Sequence, residues 1–378
     1  MKKKLISVLV SAGMIAALLA GCGSSTPESS PASSGAAAAA EPAESADTAA
    51  TDGAAETSGS GAAGHTYAIV TKAAGNPYME RMSSGFQGVI EAAGGTCIVQ
   101  NPEAATADAQ ISVIQSLISQ GVDSIAVAAN DANALTAALT EAKDAGIQVL
   151  TLDSDVNAAA RRTFCNQAGI QEVGQALIDA VYDLTGGKGQ YAILSATSQA
   201  TNQNAWIDAM KTIAENDDKY SGLELVEVAY GDDEPQKSTD QTQALLQNYP
   251  ELKVICAPTT VGISAAAKVL QDQKSSVKLT GLGLPSEMAE YIGSDGAHSC
   301  PYMFLWNPID LGKLAAYTSI ALVDGTITGK AGDSFEAGDM ENSPYTVTDM
   351  SDGTGTEIIL GPPFRFDPDN IAEWAEVY

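Results

Sequence analysis

The sequence predicts an α/β protein of two lobes, each a parallel sheet with helices on both faces. Three observations carry this. Short apolar runs alternate with helix-period segments from Thr66 onward, the pattern of βα units in parallel sheets. The chain has 378 residues, more than one hydrophobic core supports. The alternation also falls into two runs, the second starting near Gly169, which sets the lobe boundary there.

The N-terminus reads differently from the body. Met1-Lys2-Lys3-Lys4 precedes an apolar run from Leu5 to Ala20, too short to span a bilayer and typical of a secretory signal peptide. It ends in Leu19-Ala20-Gly21-Cys22, the pattern of a bacterial lipobox. Residues 1–22 are therefore expected to be a lipoprotein signal, with Cys22 acylated and the chain held outside the cell membrane by lipid alone. Residues 23–64 are Ala, Ser, Thr, Gly, Pro, Glu and Asp without periodicity, which predicts a disordered linker. A flexible chain of that length spans about 35 Å.

The body begins with a strand at Tyr67–Val70. Asn76-Pro77 then opens a helix, Asn being a good N-cap and Pro a good first residue; it stops at Gly94-Gly95. Thr96–Val99 is the second strand. Ile111, Ile114, Leu117 and Ile118 share one helical face, and Gly121 ends that helix. Ser124–Ala128 is the third strand, followed by a helix over Asn133–Ala145 and a Gly146 stop. The run Val149–Leu152 reads as a buried parallel strand ending in two carboxylates, Asp153 and Asp155. Ligands in open α/β sheets bind at the carboxyl ends of strands, so Asp153 is a candidate ligand group. The plain alternative is an Asx turn or a helix cap; Asp155 is read as a turn or rim residue. A short strand at Thr163–Asn166 completes the first run.

The second run has a helix at Gln171–Leu184, a strand at Tyr191–Ser195, and a helix with Trp206, Met210 and Ile213 on one face. Strands at Leu223–Val228, Val254–Cys256 and Val277–Leu282 alternate with helices at Gln236–Gln247 and Ile263–Gln273, then a short helix at Ser286–Ile292. After a strand at Tyr302–Trp306, Asn307-Pro308 repeats the cap-and-Pro device before a helix carrying Leu311, Leu314, Ala315, Thr318 and Leu322. The remaining segments are short, with strand-like Tyr345–Val347 and Glu357–Leu360, and suit crossings between lobes.

Composition excludes several function classes. Lys+Arg total 19 against 47 Asp+Glu, a net charge of -28, which repels nucleic acid and anionic lipid surfaces. The two histidines, His65 and His298, form no metal motif with any cysteine, so no metal or other cofactor is expected. Beyond Cys22 lie Cys97, Cys165, Cys256 and Cys300; an even count outside the cell permits disulfides, but Cys97 and Cys256 sit in apolar strand-like runs and read as buried thiols. No P-loop, dinucleotide fingerprint or Gly-x-Ser-x-Gly elbow occurs, so an enzyme is not expected. What remains at strand ends is Lys72, Asp153, Asp155, Asn166, Gln167, Asn202, Gln203, Thr259 and Thr260, with Tyr78, Trp206, Phe304 and Trp306 nearby. Carboxylates, amides and Lys can satisfy hydroxyl groups while flat rings cover apolar C–H faces: a set suited to a sugar. Trp206, Tyr78 and Met79 at helical spacing could equally pack a core.

Several separated motifs resemble one family. Asn76-Pro77-Tyr78-Met79, Thr151-Leu152-Asp153-Ser154-Asp155, Asn166-Gln167-Ala168, Thr201-Asn202-Gln203-Asn204-Ala205-Trp206, Leu305-Trp306-Asn307-Pro308 and Leu360-Gly361-Pro362-Pro363 are similar, in this order, to the type I periplasmic sugar-binding proteins of ABC importers. Within that family the chain resembles the rhamnose and autoinducer-2 branch. The resemblance implies two Rossmann-like lobes joined by three hinge crossings, a ligand in the cleft between them, and partners in a permease and its ATPase. It places 65–168 plus 306–335 in the N-terminal lobe and 169–305 plus 336–378 in the C-terminal lobe.

The ligand set it implies is Lys72, Asn76, Tyr78, Asp153, Ser154, Asn166, Asn202, Gln203, Pro258, Thr260 and Trp306. Lys72, Asp153, Gln203 and Pro258 fall on positions that contact autoinducer-2 in its binders, whereas Asn202 and Thr260 stand where those proteins have Asp and Ala. Loss of that carboxylate and the Trp-rich motifs favour a rhamnose-type deoxyhexose. The expectation is thus a monomeric, lipid-anchored, extracytoplasmic substrate-binding protein that delivers a monosaccharide to its permease by lobe closure. Autoinducer-2 uptake, or a sugar-sensing subunit for a sensor kinase, is the alternative. A repressor with the same lobes would need a basic helix-turn-helix ahead of the first strand, where a signal peptide and acidic linker stand instead.

Overall fold

The computed structural model describes residues 61–378. The expected signal peptide, the lipidation site Cys22 and the linker up to residue 60 lie outside the described residues. Residues 61–64, assigned to the linker, form a turn leading into the first lobe. Ala62 is fully buried, and its carbonyl accepts from the His65 N–H at 3.1 Å.

The first lobe opens with β1 (Thr66–Val70), α1 (Pro77–Ala92), β2 (Thr96–Gln100), α2 (Ala107–Gln120), β3 (Ser124–Val127), α3 (Thr136–Asp144), β4 (Gln148–Leu152) and β5 (Phe164–Asn166). Local chemistry sets these bounds. The Asn76 side chain accepts from the Met79 N–H and Pro77 fills the first helical position of α1. Thr106 caps α2, which stops at Gly121 in the left-handed region, φ 68°. Helix α3 starts three residues later than the Asn133 pattern suggests. The Asp131 carboxylate accepts from the N–H groups of Asn133 and Ala134, each at 2.8 Å, and this Asx turn occupies the expected first turn.

The second lobe follows with α4 (Ile170–Thr185), β6 (Gly189–Ser195), α5 (Thr201–Asn216), β7 (Leu223–Tyr230), α6 (Pro235–Asn248), β8 (Leu252–Ala257), α7 (Thr260–Asp272), β9 (Lys278–Gly281), α8 (Pro285–Met288) and β10 (Met303–Leu305). Its parallel sheet runs β7-β6-β8-β9, and a parallel bridge from Leu282 to Phe304 adds β10 at the edge. The strands are apolar nearly throughout, as expected of sheets covered on both faces.

The chain then returns to the first lobe as α9 (Pro308–Val323), capped by Asn307. Helices α1 and α9 touch backbone to backbone. A Cβ on Gly85 would lie 2.0 Å from the Ile309 carbonyl oxygen, and one on Gly312 would lie 1.9 Å from that of Met82. The middle of α1 therefore meets the first turns of α9, while Tyr78 at the start of α1 reaches Trp306 just ahead of α9.

A hairpin of β11 (Ser334–Phe335) and β12 (Tyr345–Thr346) precedes β13 (Thr348–Asp349) and β14 (Thr356–Ile359). These last two extend the first sheet, whose order is β13-β14-β5-β4-β3-β1-β2. Strand β14 runs parallel to β5, pairing Ile358 with Cys165. The expectation that all of 336–378 joins the second lobe is therefore corrected. The apolar side of β14 completes the first core, with Ile358 fully buried. Only β15 (Phe364–Phe366), antiparallel to β10, and α10 (Ile371–Trp374) belong to the second lobe. The chain crosses between lobes at 167–169, 306–307 and 361–363. Cys97, Cys165, Cys256 and Cys300 are free thiols, Cys97 being only half-buried.

Candidate functional site

Sheet ends of both lobes and the middle crossing meet at one cavity. The loop after β1 supplies Lys72, held by its backbone. The Asn130 side chain donates to the Lys72 carbonyl at 2.8 Å, while Gln110 donates to the Thr71 carbonyl at 3.0 Å and accepts from the Asn130 N–H. Gln110 and Asn130 are buried and lie on separate elements, so neither signals its role in the sequence.

Asp153 follows β4 with φ 62°. This left-handed conformation is uncommon for a residue with a Cβ and concentrates at functional sites, though Asp tolerates it better than most. It brings the carboxylate back over the strand end, where Oδ2 sits 3.0 Å from the Lys72 ammonium. Both groups are buried. A buried ion pair gains little net stability against its desolvation, but removing one partner strands the other.

The second lobe closes this arrangement with Asn202 in the first turn of α5. Its Oδ1 accepts from Lys72 Nζ at 3.1 Å and its Nδ2 donates to Asp153 Oδ2 at 3.3 Å. Every member of this triad has a partner across the cleft. Beside it, Gln203 lines the cavity with a buried Oε1 that has no hydrogen-bond partner among the described residues. Pro258, Thr259 and Thr260 bring in the N-terminus of α7.

Aromatics form the opposite wall. Trp306, on the middle crossing, donates its indole N–H to the Tyr78 hydroxyl at 2.6 Å. Their rings meet edge to face at 6.5 Å, and Trp206 packs against Trp306 at 5.5 Å. Burial, reinforced by the Asp153 charge, pushes the Tyr78 phenol well above its ordinary pKa, so it stays neutral and can donate. Met79, Leu282 and Leu305 make the rest of the surface apolar.

Of the expected ligand set, Lys72, Asn76, Tyr78, Asp153, Asn202, Gln203, Pro258, Thr260 and Trp306 line this cavity. Ser154 and Asn166 do not. The Ser154 hydroxyl donates to the Ala129 carbonyl at 2.7 Å, because the left-handed turn at Asp153 sends the next side chain inward. Asn166 donates to Glu357 at 2.8 Å and tethers β5 to β14. Asn76 serves both as cap of α1 and as cavity wall. Asp155 pairs with buried Arg161, which also donates to the Thr356 carbonyl, so it braces the Asp153 turn. The sequence reading missed Asp233, which follows β7 and lines the cavity. Its signal was the strand-end rule applied to Tyr230-Gly231-Asp232-Asp233. Among the described residues no group of acidic, His or Cys side chains could hold a metal ion, and no helix is long and apolar enough to cross a membrane.

The chain is similar to known binding proteins in sequence and fold. A periplasmic binding protein domain model matches residues 67–327. An ABC transporter solute-binding protein from Clostridium phytofermentas, solved with bound L-rhamnose, is 62% identical with a TM-score of 0.81, covering 83% of this chain and 99% of that one. A sugar ABC transporter from Actinomyces odontolyticus is 38% identical with a TM-score of 0.65, covering 82% of this chain and 97% of that one. LsrB from Clostridium saccharobutylicum, solved with AI-2, is 24% identical with a TM-score of 0.73 over 82% of this chain and 99% of its own, a likeness of fold. With the match spanning both lobes and the cleft between them, the chain belongs to the periplasmic binding protein family, a family of extracytoplasmic binders rather than enzymes.

Proposed function

We propose that this chain is the substrate-binding subunit of an ABC importer and that it takes a monosaccharide, with a rhamnose-type deoxyhexose favoured. The observation that carries this reading is the Lys72–Asp153–Asn202 triad, which joins the two lobes through the wall of the cavity. A hydroxylated ligand seated there bridges both lobes and stabilises the closed arrangement, which a permease can recognise. Asp153 accepts from sugar hydroxyls, Lys72 donates, and Asn202 and Gln203 clamp from the second lobe. The rings of Tyr78, Trp206 and Trp306 give the C–H faces and methyl group of a deoxyhexose an apolar surface. The rhamnose bound to the 62%-identical protein supports the choice of sugar. The lipobox ending at Cys22 supports a lipid anchor on the outer face of the cell membrane.

Titration calorimetry with L-rhamnose, ribose, xylose, galactose and autoinducer-2 tests the assignment. Saturable binding of L-rhamnose ahead of the others is expected. Binding of autoinducer-2 alone would replace the deoxyhexose, and no binding to any of them would refute the sugar site. For the anchor, Cys22→Ala should release the protein from membranes into the medium; retention would argue against lipidation.

A further inference from the structure

Asp233 stands apart from the other polar groups of the cavity. It lies on the second lobe in a turn where Asp232 and Asp233 both have positive φ, 55° and 53°. Two successive residues with side chains in the left-handed region are unusual and mark a held, strained turn. The turn places half-buried Asp233 where it lines both the cavity and the outer part of the cleft. Its Oδ1 accepts from the Thr259 hydroxyl, while no donor reaches its Oδ2 among the described residues. Lys72 is the single ammonium in the cavity wall, and it is already engaged by Asp153 and Asn202. The other charges facing this turn do not compensate it. Asp232 is paired with Lys237, and Glu103 and Glu234 line the mouth of the cleft. The cavity therefore holds two carboxylates against one cation, and Asp233 Oδ2 stands open as Gln203 Oε1 does.

We infer that Asp233 is a specificity-determining acceptor, whose free oxygen takes a hydrogen bond from a hydroxyl of the bound sugar, so that binding depends on Asp233 being ionised. This rests on reading the cleft as a sugar site. It adds a second-lobe carboxylate to a recognition set that is otherwise amide and hydroxyl on that side. Burial raises the Asp233 carboxyl above the usual range, with the charges of Asp153 and Asp232 adding to it and Lys72 and the Thr259 hydroxyl opposing it. A donating ligand favours the ionised form, so binding lowers this pKa and releases a proton. The sign follows: affinity is full above the raised pKa and falls as pH drops through it.

The experiment is calorimetry with L-rhamnose from about pH 7.5 down to about pH 4.5, on the wild type and Asp233→Asn. The wild type should weaken as pH falls. Asp233→Asn, which keeps the shape but not the charge, should bind roughly tenfold more weakly at neutral pH and lose the pH dependence. Its unliganded melting temperature at neutral pH should be unchanged or higher, because a raised carboxyl pKa penalises the ionised fold. Wild-type affinity and slope in a folded Asp233→Asn protein would overturn the inference while leaving the sugar site standing. No sugar binding by the wild type would overturn both. If Asp233→Asn does not fold, Thr259→Val provides the second reading. Removing the one hydroxyl that stabilises the carboxylate should move the fall in affinity to higher pH, and an unmoved profile would count against Asp233.

Discussion

The two walls of the cleft are built differently. On the first lobe nearly every polar group has a partner before any ligand arrives. Asn76 caps α1, the Tyr78 hydroxyl receives the Trp306 N–H, Lys72 pairs with Asp153, and the Lys72 backbone is held by Asn130. On the second lobe, acceptors stand open: Gln203 Oε1 is buried without a partner and Asp233 has a free oxygen. The contrast assigns a division of labour. The first wall is preorganised, so a sugar settles on it with little further ordering. The second wall has unmet hydrogen-bonding capacity, so it is satisfied only when the right hydroxyls complete it.

Substitutions can break or sharpen this contrast. The largest effect is expected from Asp153→Ala, which strands the buried Lys72 charge; affinity should fall by about 2–5 kcal/mol, read by calorimetry, and unchanged affinity would remove Asp153 from the site. Next, Tyr78→Phe takes the acceptor from a buried indole N–H. We expect a loss of about 1–3 kcal/mol in unfolding free energy by denaturant titration, with the fold suffering even without sugar. Gln203→Ala should do the reverse, costing binding about 1 kcal/mol while leaving the unliganded melting curve in place. A melting temperature that drops with Gln203→Ala would erase the distinction between the walls. The smallest effect belongs to Thr201→Val. The Thr201 hydroxyl reaches the Asp155 carbonyl across the lobes at only 3.4 Å, so its loss should weaken sugar binding by under about 1 kcal/mol.

Much of this was legible in the sequence, for identifiable reasons. Alternating strand and helix periods are local properties, and so are the devices at Asn76-Pro77 and Asn307-Pro308, which the structure uses as helix caps. Asp153 was legible because a parallel strand leaves its carboxyl end at the crevice. What escaped depends on distant contacts. Nothing local tells that Thr356–Ile359 pairs with Phe164–Asn166 nearly two hundred residues earlier. Ser154 looked equivalent to Asp153 until the left-handed backbone at Asp153 turned it away. Asp233 was hidden in an acidic turn that reads as solvated surface, and only the closeness of α7 and Lys72 makes it part of the cavity.

The placement of the tryptophans has a practical consequence. The chain contains three, Trp206, Trp306 and Trp374. Two of them form the ring pair in the cavity wall, Trp206 carried by the second lobe and Trp306 by a crossing. Any relative movement of the lobes changes the spacing and the solvent around those indoles. The protein thus carries its own optical reporter: ultraviolet emission should change in intensity or wavelength as sugar is added, without a dye. A Trp374→Phe background removes the one indole that packs in the C-terminal aromatic cluster with Phe364, Phe366 and Tyr378, leaving a signal from the cleft alone. Stopped-flow mixing would then time closure directly and separate ligand encounter from the lobe movement that follows it.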